Sequence, residues 1–305
     1  MRNAKKINFL TKGKILFFLA FGSILTILLQ ETLLENQYRQ IEIFFSNLKK
    51  SIKNRDVSYE KLNECSIKNL KYIPEESILV IGHAYGNPDK HNNFIAPKVQ
   101  SVIEKNLTKI DTIIFTGDVF FTPSISKWNK LRNLYPNLDI RIAPGNHDVM
   151  ENEDNALRDI FKISPFYTEK YPYKELINGN KVIIDDSTTS LGFKINSKTI
   201  KLLKTYNEKD DVYLFRHHKP IRELKDISNN LSFQYVRELD NAKDLQIKIK
   251  NNITIISGNH GAFDFLPRLK CYQYKNLRFI ANGIGQVDGD KILVISEGKL
   301  YSYKL

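Results

Sequence analysis

An α/β fold is what this 305-residue sequence predicts. Three observations carry that expectation. Short apolar runs of strand length recur from about residue 75, most of them separated by segments with helical patterning. Five of those runs are followed directly by side chains able to do chemistry, as at the carboxyl ends of strands in α/β sheets. The last forty residues then change to strands joined by tight turns. With 42% hydrophobic and 26% charged residues the chain is neither disordered nor fibrous. It carries only two cysteines, Cys65 and Cys271, which excludes a disulfide scaffold and a four-cysteine zinc site.

In chain order, residues 1–14 form a basic stretch holding Arg2, Lys5, Lys6, Lys12 and Lys14 without an acid. Residues 15–34 are the expected transmembrane anchor, since Ile15 to Leu29 has no charge and no proline. As a helix that stretch spans roughly 22 Å, with Lys14 able to snorkel at one end and Leu33 and Leu34 extending the apolar face. No small-residue cleavage site lies beyond Leu29, so an uncleaved anchor is expected rather than a removed signal peptide. The positive-inside bias places the N-terminus in the cytoplasm and the rest of the chain outside it. Such a compartment tolerates disulfides, but the lack of any spacing motif points to Cys65 and Cys271 as two separate buried thiols. Residues 35–74 read as a juxtamembrane helix or stalk.

Residues 75–305 read as one domain. Strands are expected at 78–81, 112–115, 140–143, 181–185, 212–215 and 253–256, and helical segments at 96–106, 125–134, 152–161 and 239–250. Trp128 fits helix packing. Asp288-Gly289-Asp290 fits a hairpin turn between two strands. Of the net charge of +12, five lie in residues 1–14 and the remaining seven are dispersed without a basic run, so no nucleic-acid partner is expected.

The residues just beyond each apolar run carry the chemistry. After ILVI come Gly82, His83, Ala84, Tyr85 and Gly86; after TIIF come Thr116, Gly117 and Asp118. After IRIA come Gly145, Asn146, His147 and Asp148; after VYLF come Arg216, His217 and His218; after ITII come Gly258, Asn259, His260 and Gly261. Imidazole, carboxylate and amide oxygen suit metals such as Mn, Fe and Zn. Repeated at five strand ends, they point to a metal or phosphate site.

This series, Thr-Gly-Asp, then Gly-Asn-His-Asp, then His-His, then Ser-Gly-Asn-His, resembles the calcineurin-like metallophosphoesterase family over residues 75–285. The resemblance implies a four-layer sandwich, two β-sheets flanked by helices, and hydrolysis of phosphate mono- or diesters with two adjacent metals. It implies Asp118 as the bridging ligand, Asn146 as a second-metal ligand, and His217 as another, with His218 the alternative register. It further implies that His147 assists the leaving oxygen while Asp148 orients it.

The family's opening Asp-x-His-Gly becomes His83-Ala84-Tyr85-Gly86, and its closing Gly-His-x-His becomes Gly258-Asn259-His260-Gly261. The first-metal ligands are thereby changed to His83 and Tyr85 and lost at Gly261, while the second metal keeps all but one histidine, replaced by Asn259 unless His260 swings in. The implied cofactor is one or two divalent or trivalent ions (Mn, Fe or Zn), and the implied mechanism is attack by a metal-held hydroxide on a phosphate-ester substrate. A dinuclear enzyme, a mononuclear enzyme, and a degenerate domain binding a phosphorylated glycan or a protein partner all fit these residues. The retained His147–Asp148 pair favours an enzyme.

Overall fold

A computed structural model of the chain describes residues 63–305 except 91, 150–158, 164–165, 167–169, 190–194, 221–241 and 260–268. The expected anchor at 15–34, most of the stalk, most of the helix at 152–161, and His260 lie outside the described residues. Among the described residues no helix is long and apolar enough to cross a membrane.

Two short strands, β1 (Asn63–Glu64) and β2 (Asn69–Leu70), lead into β3 (Ser77–Ile81), helix α1 (Pro97–Lys105), β4 (Ile110–Phe115), α2 (Ile125–Leu134), β5 (Asp139–Ile142) and the single turn α3 (Asn146–Val149). The hairpin β6 (Tyr173–Ile177) and β7 (Asn180–Ile184) comes next, then α4 (Ser197–Leu203), β8 (Asp211–Arg216), helix α5 at 242–248 and β9 (Asn252–Ser257). Four strands close the chain: β10 (Leu269–Tyr274), β11 (Leu277–Asn282), β12 (Lys291–Ser296) and β13 (Lys299–Lys304). The helices start where local chemistry dictates. Pro97 opens α1, where its missing N–H costs nothing. Ser124 and Asn196 cap α2 and α4, their side-chain oxygens accepting the backbone N–H of Lys127 and Thr199.

The strands form a seven-stranded sheet, β1-β10-β11-β9-β8-β7-β6, and a six-stranded sheet, β2-β13-β12-β3-β4-β5. Three apolar clusters separate the layers. Ile78, Val80 and Ile114 of one sheet meet Val182, Phe215 and Ile256 of the other. Alternate residues of β3 and β4, Leu79, Ile81, Ile113 and Phe115, face Val99, Ile103, Trp128 and Leu131 of α1 and α2. Ile183, Leu214 and Ile255 face Leu203 of α4 and Leu245 of α5. The layers therefore run helices, six-stranded sheet, seven-stranded sheet, helices. Trp128 is fully buried against Phe120, Phe161 and Phe166, in the packing role expected of it.

Two expectations are corrected. Cys65 and Cys271 are not separate thiols but a disulfide, with Cα atoms 5.0 Å apart. Pairing of β1 with β10 sets them side by side, and the Cys65 N–H donates to the Cys271 carbonyl at 2.9 Å. Nor is Asp288-Gly289-Asp290 a hairpin turn. Strands β11 and β12 belong to different sheets, and the segment between them is a crossover. Its fold is set by buried Asp290, whose Oδ2 accepts the N–H groups of Gly285 and Val287.

Candidate active site

Strands β3, β4 and β5 run parallel in one sheet, β8 and β9 in the other, and their carboxyl ends deliver His83, Asp118, the 146–148 turn, His217 and Asn259 to one region. The backbones there are nearly touching. A Cβ on Gly258 would strike the Thr116 carbonyl, and one on Gly117, at φ +88°, would strike the His217 ring, so only glycine fits either place. His83 and Asp118 themselves adopt left-handed backbone, φ 53° and 57°. Each such residue costs on the order of 1 kcal/mol, held here by neighbouring bonds. The His83 N–H donates to Gly117 O at 3.0 Å, and the Asp118 N–H to Asp148 Oδ2 at 2.7 Å.

Three histidines are oriented in one way. Nδ1 of His83 lies 3.1 Å from Gly86 O, Nδ1 of His147 lies 2.8 Å from Phe121 O, and Nδ1 of His217 lies 3.0 Å from Thr116 O. A carbonyl only accepts, so each Nδ1 carries the proton and each ring presents Nε2. Nε2 of His217 and of His83 approach the same oxygen, Asp118 Oδ2, at 3.3 and 3.6 Å. The His217 nitrogen is buried and makes no hydrogen bond there, despite the short distance. The other oxygen, Oδ1, accepts the backbone N–H of His147 at 3.1 Å.

The electrostatics are set by this packing. Burial alone would raise Asp118, but His217 and His83 hold it below the ordinary carboxylate range. Burial opposes charge on His217, yet the Asp118 carboxylate outweighs it and raises its pKa. His83 goes the other way: burial lowers it to about 4 despite Asp118, so its ring is neutral. Burial, with Asp118 and Asp148, raises Tyr85, whose phenol stays protonated and donates to His83 Nε2 at 3.0 Å.

The implied partner roles need one adjustment. Asp148 does not orient the His147 ring, which Phe121 O holds. Its buried carboxylate instead accepts three backbone N–H groups, from Asp118, Val119 and Gly145, and so ties the β4 and β5 loops together. Burial and the Asp118 charge push Asp148 up to about 7, while those N–H groups pull the other way. His218 is engaged elsewhere, with Nδ1 3.1 Å from Ser187 Oγ, so it is His217 that faces Asp118. Asn146 opens α3, and Asn259 is fixed by its N–H to the His217 carbonyl at 3.0 Å.

A family model for calcineurin-like phosphoesterases matches residues 77–294. The chain belongs to that family. Membership gives it the family's general character, phosphoric ester hydrolysis on a metallophosphoesterase fold. Similar solved structures include the phosphopantetheinyl hydrolase PptH from Mycobacterium tuberculosis, at 14% identity and TM-score 0.43, covering 70% of this chain and 92% of that one. Vps29 from Chaetomium thermophilum aligns at 13% identity and TM-score 0.32, covering 75% and 87%. No curated protein matches the sequence.

Metal ions are the cofactors typical of the family. Among the described residues no group of three or more His, Cys, Asp or Glu side chains is placed to hold one. The donors that fit are Asp118 Oδ2 and the buried Nε2 of His217, which face each other at 3.3 Å. Asn146 and Asn259 follow β5 and β9, the strands paired with those that lead to Asp118 and His217. On the other side, the lone pair of His83 is already taken by Tyr85. Sequence reasoning missed Phe121, whose ring stacks on His147 at 5.3 Å, and Gln286, whose Oε1 accepts from Asn87 N and Asn92 Nδ2. Phe121 stands close enough behind the Gly-Asp motif to have been suspected; nothing in the sequence marks Gln286.

Proposed function

We propose that the chain is a membrane-anchored, extracytoplasmic, metal-dependent phosphoesterase that cleaves a phosphate ester with His147 assisting the leaving group. The observation that carries this reading is that Nδ1 of His147 and of His217 is fixed on a carbonyl, which leaves Nε2 of each available, that of His217 facing Asp118 Oδ2 at 3.3 Å. A single metal on the Asp118–His217 side, with Asn146 and Asn259, is favoured because the Tyr85 hydroxyl occupies His83 Nε2. Bound there, a metal supplies Lewis-acid polarisation of water and neutralises charge gathering on the phosphoryl oxygens. The protein's own residues do the rest. The Nδ1 proton of His147 is fixed on Phe121 O, so a second proton, carried on Nε2, is the one the ring can pass to the departing alcohol oxygen. Asp148 holds the two loops that carry Asp118 and His147 in register. The extracytoplasmic side is supported by the Cys65–Cys271 disulfide, a bond of oxidising compartments, and the anchor by the apolar stretch at 15–34.

The test uses the full-length protein purified without chelator. Elemental analysis should find about one Mn, Fe or Zn per chain, and p-nitrophenyl phosphate or its bis ester should be hydrolysed in a way that Asp118→Asn abolishes. Metal without turnover of any phosphate ester would make the domain a binder. Absence of metal after reconstitution would overturn the metal-dependent reading.

A further inference from the structure

A cleft of about 420 Å³ opens beside His147, within the size range of small-molecule sites. Its walls come from the loop after β3 and the loop after β4. Tyr85 and Phe121 line it, and these are the two rings that touch His147, with centroids 5.6 and 5.3 Å away. The cleft thus adjoins His147 through these two rings, on a side where a leaving group that it protonates can be received. We propose that the cleft is the subsite for the alcohol portion of the ester and that it takes a polyhydroxylated group of hexose size, making the substrate a sugar phosphate. The proposal rests on the phosphoesterase reading above.

The lining chemistry selects that class. Asn87, Asn92, Asn93 and Thr122 line the cleft; both Asn92 Nδ2 protons are spent within the wall and Asn87 is buried, so exposed Asn93 and Thr122 are the groups that both donate and accept as sugar hydroxyls do. So polar a lining disfavours an acyl chain. None of the described lining residues is acidic, and the one cation among them, Lys127, is held at the rim by donating Nζ to Thr122 O at 2.6 Å. The rings disfavour a nucleobase. Tyr85 and Phe121 meet edge to face, 5.5 Å apart at 66°, and one face of Phe121 already lies against His147, so they make a corner and not a flat slot. Tyr85 is buried and backs Phe121, which is 46% exposed and offers C–H and π surface to the puckered, C–H-bearing side of a pyranose. The wall is also fixed in advance. Asn92 Nδ2 donates to Tyr85 O at 2.7 Å and to Gln286 Oε1 at 2.6 Å, so the crossover between β11 and β12 braces the loop. In the reaction, water oxygen bonds to phosphorus as the bond from phosphorus to the sugar oxygen breaks; that oxygen takes a second proton carried on His147 Nε2, and the proton released by the water restores it. The products are the free sugar and inorganic phosphate.

The test is equilibrium binding to the full-length protein by calorimetry, with three probes: the methylene phosphonate analogue of glucose 1-phosphate, methylphosphonate, and the phosphonate analogue of AMP. The sugar analogue should bind at least about tenfold more tightly than methylphosphonate, with the AMP analogue weaker than the sugar. Asn93→Ala should weaken the sugar analogue about three- to tenfold and leave methylphosphonate unchanged, which also shows that the variant is folded. Equal affinity for sugar analogue and methylphosphonate, tightest binding of the AMP analogue, no binding of the sugar analogue, or an equal loss for both probes in Asn93→Ala would each overturn the proposal. Turnover of p-nitrophenyl phosphate by the same preparation separates the two readings. Sugar selectivity without any ester hydrolysis removes the enzyme and keeps the subsite, whereas hydrolysis without selectivity removes the subsite alone.

Discussion

Asp118 and Asp148 are both buried carboxylates a few ångströms apart, yet their oxygens do opposite work. Asp118 turns Oδ2 toward two imidazoles, while Asp148 spends both oxygens on backbone N–H groups. Asp118→Asn should therefore abolish turnover with little change in unfolding midpoint. Asp148→Ala strands three buried donors and should cost about 3 kcal/mol or more, read as a lower urea midpoint. His83 gives a pH signature. Its folded pKa of about 4 lies below the ordinary 6.5, so its contribution to stability is full above 6.5 and is lost as pH falls toward 4. Between pH 7 and pH 5 the metal-free protein should lose about 2 kcal/mol from this group. His83→Asn, which tolerates the left-handed backbone, should flatten that slope in urea titrations at the two pH values.

At the scale of elements, the two sheets are joined by more than apolar packing. Arg141 of β5 forks onto Glu175 of β6, with Nη2 and Nε at 2.7 and 2.9 Å from the two carboxylate oxygens, and also pairs with Asp139. Arg141→Met should destabilise by about 2 kcal/mol, since Glu175 keeps part of its solvent, and a double change with Glu175→Leu should recover most of that loss. A double-mutant cycle in urea measures it. The same scale shows what could be read in advance. Each apolar run from residue 78 to 256 proved to be a strand, because fully buried strands such as Ser-Ile-Leu-Val-Ile leave a continuous apolar signature. Helix α2 was legible over 125–134 because its apolar residues, among them buried Trp128 and Leu131, fall at helical spacing. Strands β1 and β2 were not, since two residues carry no period and their partners lie some 200 residues away. The site divides in the same manner. His83, Asp118, His147 and His217 sit at strand ends that the pattern marks, whereas the roles of Asp148, Phe121 and Gln286 depend on backbone atoms and loops from other parts of the chain.

For the whole molecule, the disulfide closes a loop from residue 65 to residue 271 that contains every proposed catalytic group. Replacing both cysteines by serine should cost about 2–5 kcal/mol, seen as a lower thermal midpoint that reductant reproduces in the wild-type chain. The bond also decides where mechanical load travels. A chain anchored at its N-terminus and pulled at its C-terminus transmits tension from Cys65 straight to Cys271, bypassing Asp118, His147 and His217. Only the stretches before residue 65 and after residue 271 can then be drawn out, the latter giving roughly 120 Å of contour, and reducing the bond releases roughly 720 Å more. In an optical trap the oxidised protein should lack that long step, the groups between the two cysteines being shielded from force.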